Sequence, residues 1–383
     1  MGVSQVGPAA RDPPGGAASP SLRAAGAAEC LPGPAPDATA PPSTATGDKM
    51  RKFLVWVCWM AAATALFAQE LPPWRASTPE ERRLDAAAFD GLDEAIATAF
   101  GDVQGVVVVL RGRMVYAYYR DGNPDALRDV QSVTKSALAV LVGTALQRGQ
   151  LASLEQPVVE LVPEWRGLNA DARSHAITLR HLLAMTTGFE VNDDSGTAAP
   201  LAPAAAWARP MRAQPGQRFA YDNSGPLLVQ VILERVTGRR IADLARDQLV
   251  APLAMKEPRY VRGAAWMRTE DMARLGWLVL QDGRWAGQQV LPPGFAAQMV
   301  RPQGAGGPPV GLPYGLSWWV PSGTTYLASG YGGQVIWVHP PLDLVVAVNA
   351  TVSPPSWQRG QAMRLIREPI FQAAQRRLAS NGK

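Results

Sequence analysis

A serine and a lysine three positions apart, Ser132 and Lys135, could carry out acyl transfer. An apolar run follows them, Ala137-Leu138-Ala139-Val140-Leu141-Val142. If that run is a helix, both residues lie on one face of its first turn. The serine is then a candidate nucleophile and the lysine its candidate base. The helix is apolar almost all the way round, so it should be buried. An amine entering such a helix is costly unless it is paired or neutral. The chain has five lysines among its 37 basic residues, and the rest are arginines. Arginine cannot release its proton at ordinary pH, whereas lysine can. A lysine kept at 135 therefore suggests a need for a titratable amine.

Two further clusters could join the pair. Tyr221-Asp222-Asn223 follows Pro215-Gly216-Gln217-Arg218-Phe219 and precedes a Ser-Gly-Pro helix start. A tyrosine near a cation can move a proton. An asparagine amide can orient the lysine and a substrate carbonyl. Read by itself, the triplet is also an ordinary surface turn. Ser329-Gly330-Tyr331-Gly332-Gly333 ends a strand-like run, where glycines let a ligand approach the backbone. An oxyanion hole needs two backbone N–H groups, and those of Ser132 and Tyr331 are the candidates. The Ser132 amide would sit at a helix N-terminus, which favours negative charge. Ser329, Gly330 and Gly332 are candidate substrate contacts. Asp193, with Glu190 and Asp194, borders a loop that could meet a cationic amine or simply face water. His175, His181 and His339 have no metal-ligand spacing, so neither a metal nor another cofactor is expected.

These residues need elements to hold them. An amphipathic helix is expected over Leu84 to Phe100 and a hairpin over 105–110 and 114–119. From about 136 to 285 the pattern is mostly helical, with segments at 158–161, 179–185, 226–237, 241–249 and 272–280. Strands return at 326–329, 334–339 and 344–349, and a last helix is expected from 357 to 378. Strands near both ends with helices between imply an α+β fold: an antiparallel sheet built from 103–120 and 325–383, interrupted by a helical subdomain. A site between the two is the default location.

In this order, the Ser-x-x-Lys, Tyr-x-Asn and Ser-Gly elements resemble the serine β-lactamase and penicillin-binding-protein superfamily. The class C-like branch, which includes esterases, D-aminopeptidases and 6-aminohexanoate-dimer hydrolase, is the most similar. The resemblance extends to Leu182-Leu183-Ala184-Met185-Thr186-Thr187-Gly188-Phe189, to Gly276 through Trp285, and to Tyr314-Gly315-Leu316-Ser317-Trp318-Trp319. It implies the sheet-and-helix fold of that superfamily. It also implies an acyl-enzyme on Ser132, Lys135 as base, Tyr221 and Asn223 as the Tyr-x-Asn pair, and the Tyr331 amide in the oxyanion hole. Ala328 stands where β-lactamases carry the lysine of their Lys-Thr-Gly strand, a cation that helps hold the β-lactam carboxylate. The expectation is therefore hydrolysis of a small ester, amide or peptide-like substrate. The other readings are a D-Ala-specific cell-wall peptidase or β-lactamase, and a non-catalytic cell-wall-binding or sensory domain on the same fold.

The whole chain of 383 residues, 47% hydrophobic and 18% charged, is ample for a large core. Its net charge of +5 comes from scattered arginines, which gives nucleic-acid binding little support. Residues 1–49 are dominated by Ala, Pro and Gly and are expected to be disordered. Met50-Arg51-Lys52 and the apolar stretch to Ala68 then have the order of a secretory signal peptide. That points to a periplasmic or secreted protein, which would touch a membrane only through an uncleaved leader. Cleavage after Ala65 or Ala68 would remove both cysteines, Cys30 and Cys58. Translation is expected to begin at Met50, with 1–49 an over-extended reading frame. The intact mass of the natural precursor checks this: it should match a start at Met50, and a product carrying earlier residues would refute it.

Overall fold

The computed structural model describes residues 74–193, 195–261, 263–352 and 359–380. The expected leader, the segment before it and both cysteines lie outside the described residues. The sheet strands are β1 (Val103–Leu110) and β2 (Arg113–Tyr119) early in the chain. Two minor elements intervene. One is a small sheet of β3 (Arg128–Asp129), β4 (Arg259–Val261) and β5 (Ala264–Met267), and the other a hairpin of β6 (Arg284–Trp285) and β7 (Gln288–Gln289). The late strands are β8 (Gly304–Gly307), β9 (Leu312–Tyr314), β10 (Trp319–Ser322), β11 (Thr325–Ser329), β12 (Val335–His339) and β13 (Leu344–Ala350). The main sheet has eight strands in the order β2-β1-β13-β12-β11-β10-β9-β8, and its paired strands run antiparallel. β1 lies beside β13, so the two ends of the chain close one sheet.

Both faces of this sheet are covered. Val106, Val108 and Leu110 join one apolar cluster, with Phe89, Ile96, Ile366 and Ile370 from the terminal helices. Val107 and Val109 join the other, with the helix Val133–Gln147 and most of the central region. Alternate side chains of a strand point to opposite faces. A strand buried on both faces therefore reads as the unbroken apolar run Val106-Val107-Val108-Val109-Leu110. Gly276, in the helix Thr269–Leu280, permits close packing on the sheet. A Cβ there would lie 2.6 Å from Ile336 Cγ2 and 2.7 Å from Val345 Cγ1.

Several expected elements change. The single helix over 84–100 is two, Pro79–Ala88 and Leu92–Ala99, broken where Gly91 takes φ +74°. The sheet also takes in β8, β9 and β10, whose Gly, Pro and Trp content hides any alternation. The small sheet of β3 to β5 was likewise not expected. The helix expected at 241–249 is α-helical over Ile241–Ala245 and continues as a wider turn, Arg246–Val250. The last helix is divided by another wide turn around Pro369.

His181 holds the start of the short helix Leu179–Leu183, where its Nδ1 accepts a hydrogen bond from the Thr178 N–H at 3.1 Å. That arrangement is a capping box with histidine in place of glutamate or glutamine. The neutral ring therefore carries its proton on Nε2. Partial burial of the ring lowers its pKa below the ordinary 6.5. The unfolded chain takes up the proton before the folded chain does. This contribution to stability is thus complete above the ordinary value and is lost as pH falls from there toward the lowered one. The melting temperature is expected to fall as pH drops below about 6.5. It should fall less in His181→Gln, which keeps the acceptor without the titration; an identical slope in thermal melts would refute the role.

Candidate active site

Ser132 occupies the cap position of the helix Val133–Gln147 with helical backbone angles, φ −68° and ψ −5°. Its hydroxyl makes no capping hydrogen bond, although a serine at this position commonly does. The oxygen instead accepts from Lys135 Nζ at 2.9 Å. Lys135 is 8% exposed. Its Nζ also donates to Asn223 Oδ1 at 2.8 Å and lies 4.9 Å from the centre of the Tyr221 ring. Residues 88 positions apart in sequence thus meet at one nitrogen. The next residue anchors the helix, as Ser136 Oγ donates to the Ser317 carbonyl at 2.5 Å.

The Tyr221–Asn223 segment is held from several sides. The Ala220 N–H donates to the Met185 carbonyl at 2.9 Å, and Gly216 N–H to the Thr186 carbonyl at 2.8 Å. Asp222, 6% exposed, accepts from the Ser224 N–H at 2.8 Å and pairs with Arg209. That ion pair turns the middle residue away and leaves Tyr221 and Asn223 on the site. Sequence reading missed Asp222, because its partner is Arg209, in a loop without a motif. Asn223 is fully engaged. Its Nδ2 donates to the Gly196 carbonyl at 3.1 Å and the Ala198 carbonyl at 2.8 Å, while its Oδ1 faces the lysine. An amide nitrogen has two donors, so no donor is left for a substrate carbonyl. The asparagine orients the lysine and ties down the 196–198 loop.

The glycine-rich turn after β11 is shaped by Gln334, a residue with no exposed surface. Its Oε1 accepts from the Gly332 N–H at 3.0 Å, and its Nε2 donates to the Ala350 carbonyl at 2.7 Å. Its own carbonyl accepts from the Gly330 N–H at 2.7 Å. A Cβ at 330 would lie 2.6 Å from Gln334 Oε1 and 2.9 Å from the Val130 carbonyl, so glycine is required. Gly330 therefore slots against the residues that lead into Ser132. Among the described residues, neither the Ser132 nor the Tyr331 N–H has a hydrogen-bond partner. By contrast, the Gly330 and Gly332 amides are spent within the turn.

Two hollows adjoin Ser132. The larger, about 500 Å³, is lined by Lys135 and Asn223 and by neutral residues including Ala198, Pro200, Leu227 and Ala264. The smaller, about 10 Å³, lies beside Tyr221, Trp319, Val310 and Ser329. Tyr331 lines both, whereas Gly330, Gly332 and Asp193 line neither. Asp193 is occupied in its own loop. Its carboxylate accepts from the Ser195 N–H at 2.8 Å and from the Thr197 hydroxyl at 3.3 Å, and the Ser195 bonds hold its pKa below the usual carboxylate range. Glu190 pairs with Arg212. Asp194 lies outside the described residues. Among the described residues, no group of three or more His, Cys, Asp and Glu side chains is placed to hold a metal ion.

The Beta-lactamase family model matches residues 92–369, which include all of the residues above. The chain belongs to the beta-lactamase family. It is 31% identical over 224 residues to Esterase EstB of Burkholderia gladioli; the match covers 48% of this chain and 54% of the relative, about half its length. Its fold is similar to that of a protein assigned as a beta-lactamase from Bacteroides dorei, with TM-score 0.64 and 20% identity over 75% of this chain and 99% of that one. A protein assigned as a 6-aminohexanoate-dimer hydrolase from Bacillus anthracis gives TM-score 0.59 and 20% identity over 74% and 81%. Within this beta-lactamase fold, Ala328 is fully buried in the larger apolar cluster, and no cation stands there.

Gln334→Leu removes both side-chain hydrogen bonds that shape the turn. Each buried group left unpaired costs about 1–3 kcal/mol, so the variant is expected to melt at lower temperature. Displacing the Tyr331 N–H, a candidate oxyanion donor, should also lower kcat, by up to roughly 10²–10³, with KM nearly unchanged. Gln334→Glu, which keeps the acceptor for Gly332, should retain more of kcat. Steady-state kinetics on a p-nitrophenyl ester would check this, and an unchanged kcat in Gln334→Leu would remove the role.

Proposed function

We propose that this member of the beta-lactamase family is an exported serine hydrolase that cleaves neutral esters or amides through an acyl-enzyme on Ser132. The observation that carries the reading is the position of Lys135 Nζ, within hydrogen-bond distance of both Ser132 Oγ and Asn223 Oδ1. In the neutral amine the bond to serine reverses, and the hydroxyl donates to nitrogen. Ser132 Oγ attacks the carbonyl carbon as its proton passes to Lys135, with Tyr221 assisting. The Ser132 and Tyr331 N–H groups take the oxyanion of the tetrahedral intermediate. Collapse expels the leaving group, which Tyr221 protonates as Lys135 passes the serine proton on to Tyr221, so both groups return to their starting state. Water then attacks the acyl-enzyme by the same route, returning the proton to Ser132.

Substrate class follows from what lines the larger hollow. Among the described residues that line it, Lys135 is the one charged side chain and it is already bonded to Ser132 and Asn223, which favours a neutral substrate. Ala328 removes the usual cation from β11, which weighs against β-lactams and peptide carboxylates. The similarity to an esterase supports esters first. The leader-like segment from Met50 supports export to the periplasm or beyond.

Ser132→Ala is expected to abolish labelling by a fluorophosphonate probe. Lys135→Arg keeps the charge but loses the base, and should lower kcat/KM on p-nitrophenyl acetate by about 10²–10⁴. Undiminished labelling of Ser132→Ala would refute the nucleophile.

A further inference from the structure

Building on the hydrolase reading above, we infer that Ser132 separates two unequal subsites, with the acyl half of the substrate in the larger and a small alcohol in the smaller. The enzyme is then selective for esters that join a medium-length neutral acid to a methyl- or ethyl-sized alcohol.

The inequality is built from rigid parts. A space of about 10 Å³ is near the minimum that holds one water, whereas about 500 Å³ is ordinary for a ligand pocket. The small side is walled by stacked aromatics. The Tyr221 and Trp319 rings lie 5.9 Å apart at 15°, and Tyr314 packs edge-on to Trp319 at 4.5 Å. Tyr221 and Trp319 are 4% and 2% exposed, so neither ring can swing aside without disturbing the cluster. Above them two loops meet. A Cβ built on Gly196 would lie 2.9 Å from Pro309 Cγ and 3.6 Å from Tyr221 Cε1. The half-buried Val310 completes the wall from the loop between β8 and β9.

The direction of the substrate follows from which proton donor borders which space. Tyr221 lines the crevice but not the larger hollow; Asn223 and Lys135 line the larger hollow but not the crevice. The atom that leaves must sit beside the group that returns its proton. With Tyr221 as that group, the alcohol oxygen and its substituent point into the crevice. The acyl chain then extends across the neutral surface of Ala198, Pro200, Leu227 and Ala264. Val310 becomes the side chain that limits alcohol size.

Two isomeric esters test this without a change in composition, ethyl hexanoate and hexyl acetate, followed by acid release at constant pH. The wild type should show a kcat/KM for ethyl hexanoate at least roughly tenfold higher, within the range that a few methylenes impose in a shaped pocket. Val310→Ala should narrow that ratio by raising activity on hexyl acetate more than on ethyl hexanoate. Equal activities, or a preference for hexyl acetate, would overturn the assignment and place the leaving group on the lysine side. An unchanged ratio in a normally melting Val310→Ala would overturn the role of Val310. If neither ester is cleaved while a fluorophosphonate still labels Ser132, the subsite inference fails and the nucleophile stands. If labelling is also absent, the hydrolase reading fails and this inference fails with it.

Discussion

The amine of Lys135, placed in an apolar helix, is the constraint on which the rest of the structure depends. A basic nitrogen almost removed from water must find partners or cost several kcal/mol. It finds Ser132 Oγ in the preceding turn and Asn223 Oδ1 from a distant loop. Asn223 is in turn fixed by two carbonyls of the 196–198 loop, and the adjacent Asp222 by Arg209. Satisfying one nitrogen thus draws together the serine helix, the Tyr221 turn and the loop that walls the larger hollow. The serine is left without a capping role, and its hydroxyl faces the lysine amine.

The opposite wall has a different logic. Backbone N–H groups are obligatory donors, so a turn that keeps some unpaired must pair the others. Gln334 does this for the turn after β11. It accepts from Gly332 and, through its own carbonyl, from Gly330, and leaves the amide of Tyr331 between them without a partner among the described residues. Close approach to Val130 makes this turn pack against the segment that ends in Ser132. The spacing of the two candidate oxyanion donors is therefore set by backbone contact rather than by flexible side chains.

Among the described residues, Lys135 is the one charged side chain lining the larger hollow, whereas ion pairs are abundant elsewhere. Asp85 is buried between Arg113 on β2 and Arg377 in the last helix, tying the two chain ends together. Asp271 is likewise enclosed by Arg268 and Arg274. A chain that uses arginine for its structural ion pairs keeps lysine for a different task, in agreement with the chemistry of the two side chains.

The sequence by itself was enough for the family, the fold class and the identity of the residues gathered around Lys135. Those features depend on local spacing, on periodicity along one element and on rare residue types. Ser132 and Lys135 meet because they are one helical turn apart, and the β1 hairpin is visible because its runs and its turn adjoin. Where neighbours came from far along the chain, reading failed. The commitment of both Asn223 donors, the pairing of Asp222 with Arg209 and the bond from Gln334 to Ala350 depend on such neighbours. So does the inequality of the two spaces beside Ser132, because a cavity is the gap left when separate segments pack. Only the tertiary structure could decide these features: hydrogen bonds and excluded volume act between atoms close in space, and no spacing along the chain encodes which distant segment will be there.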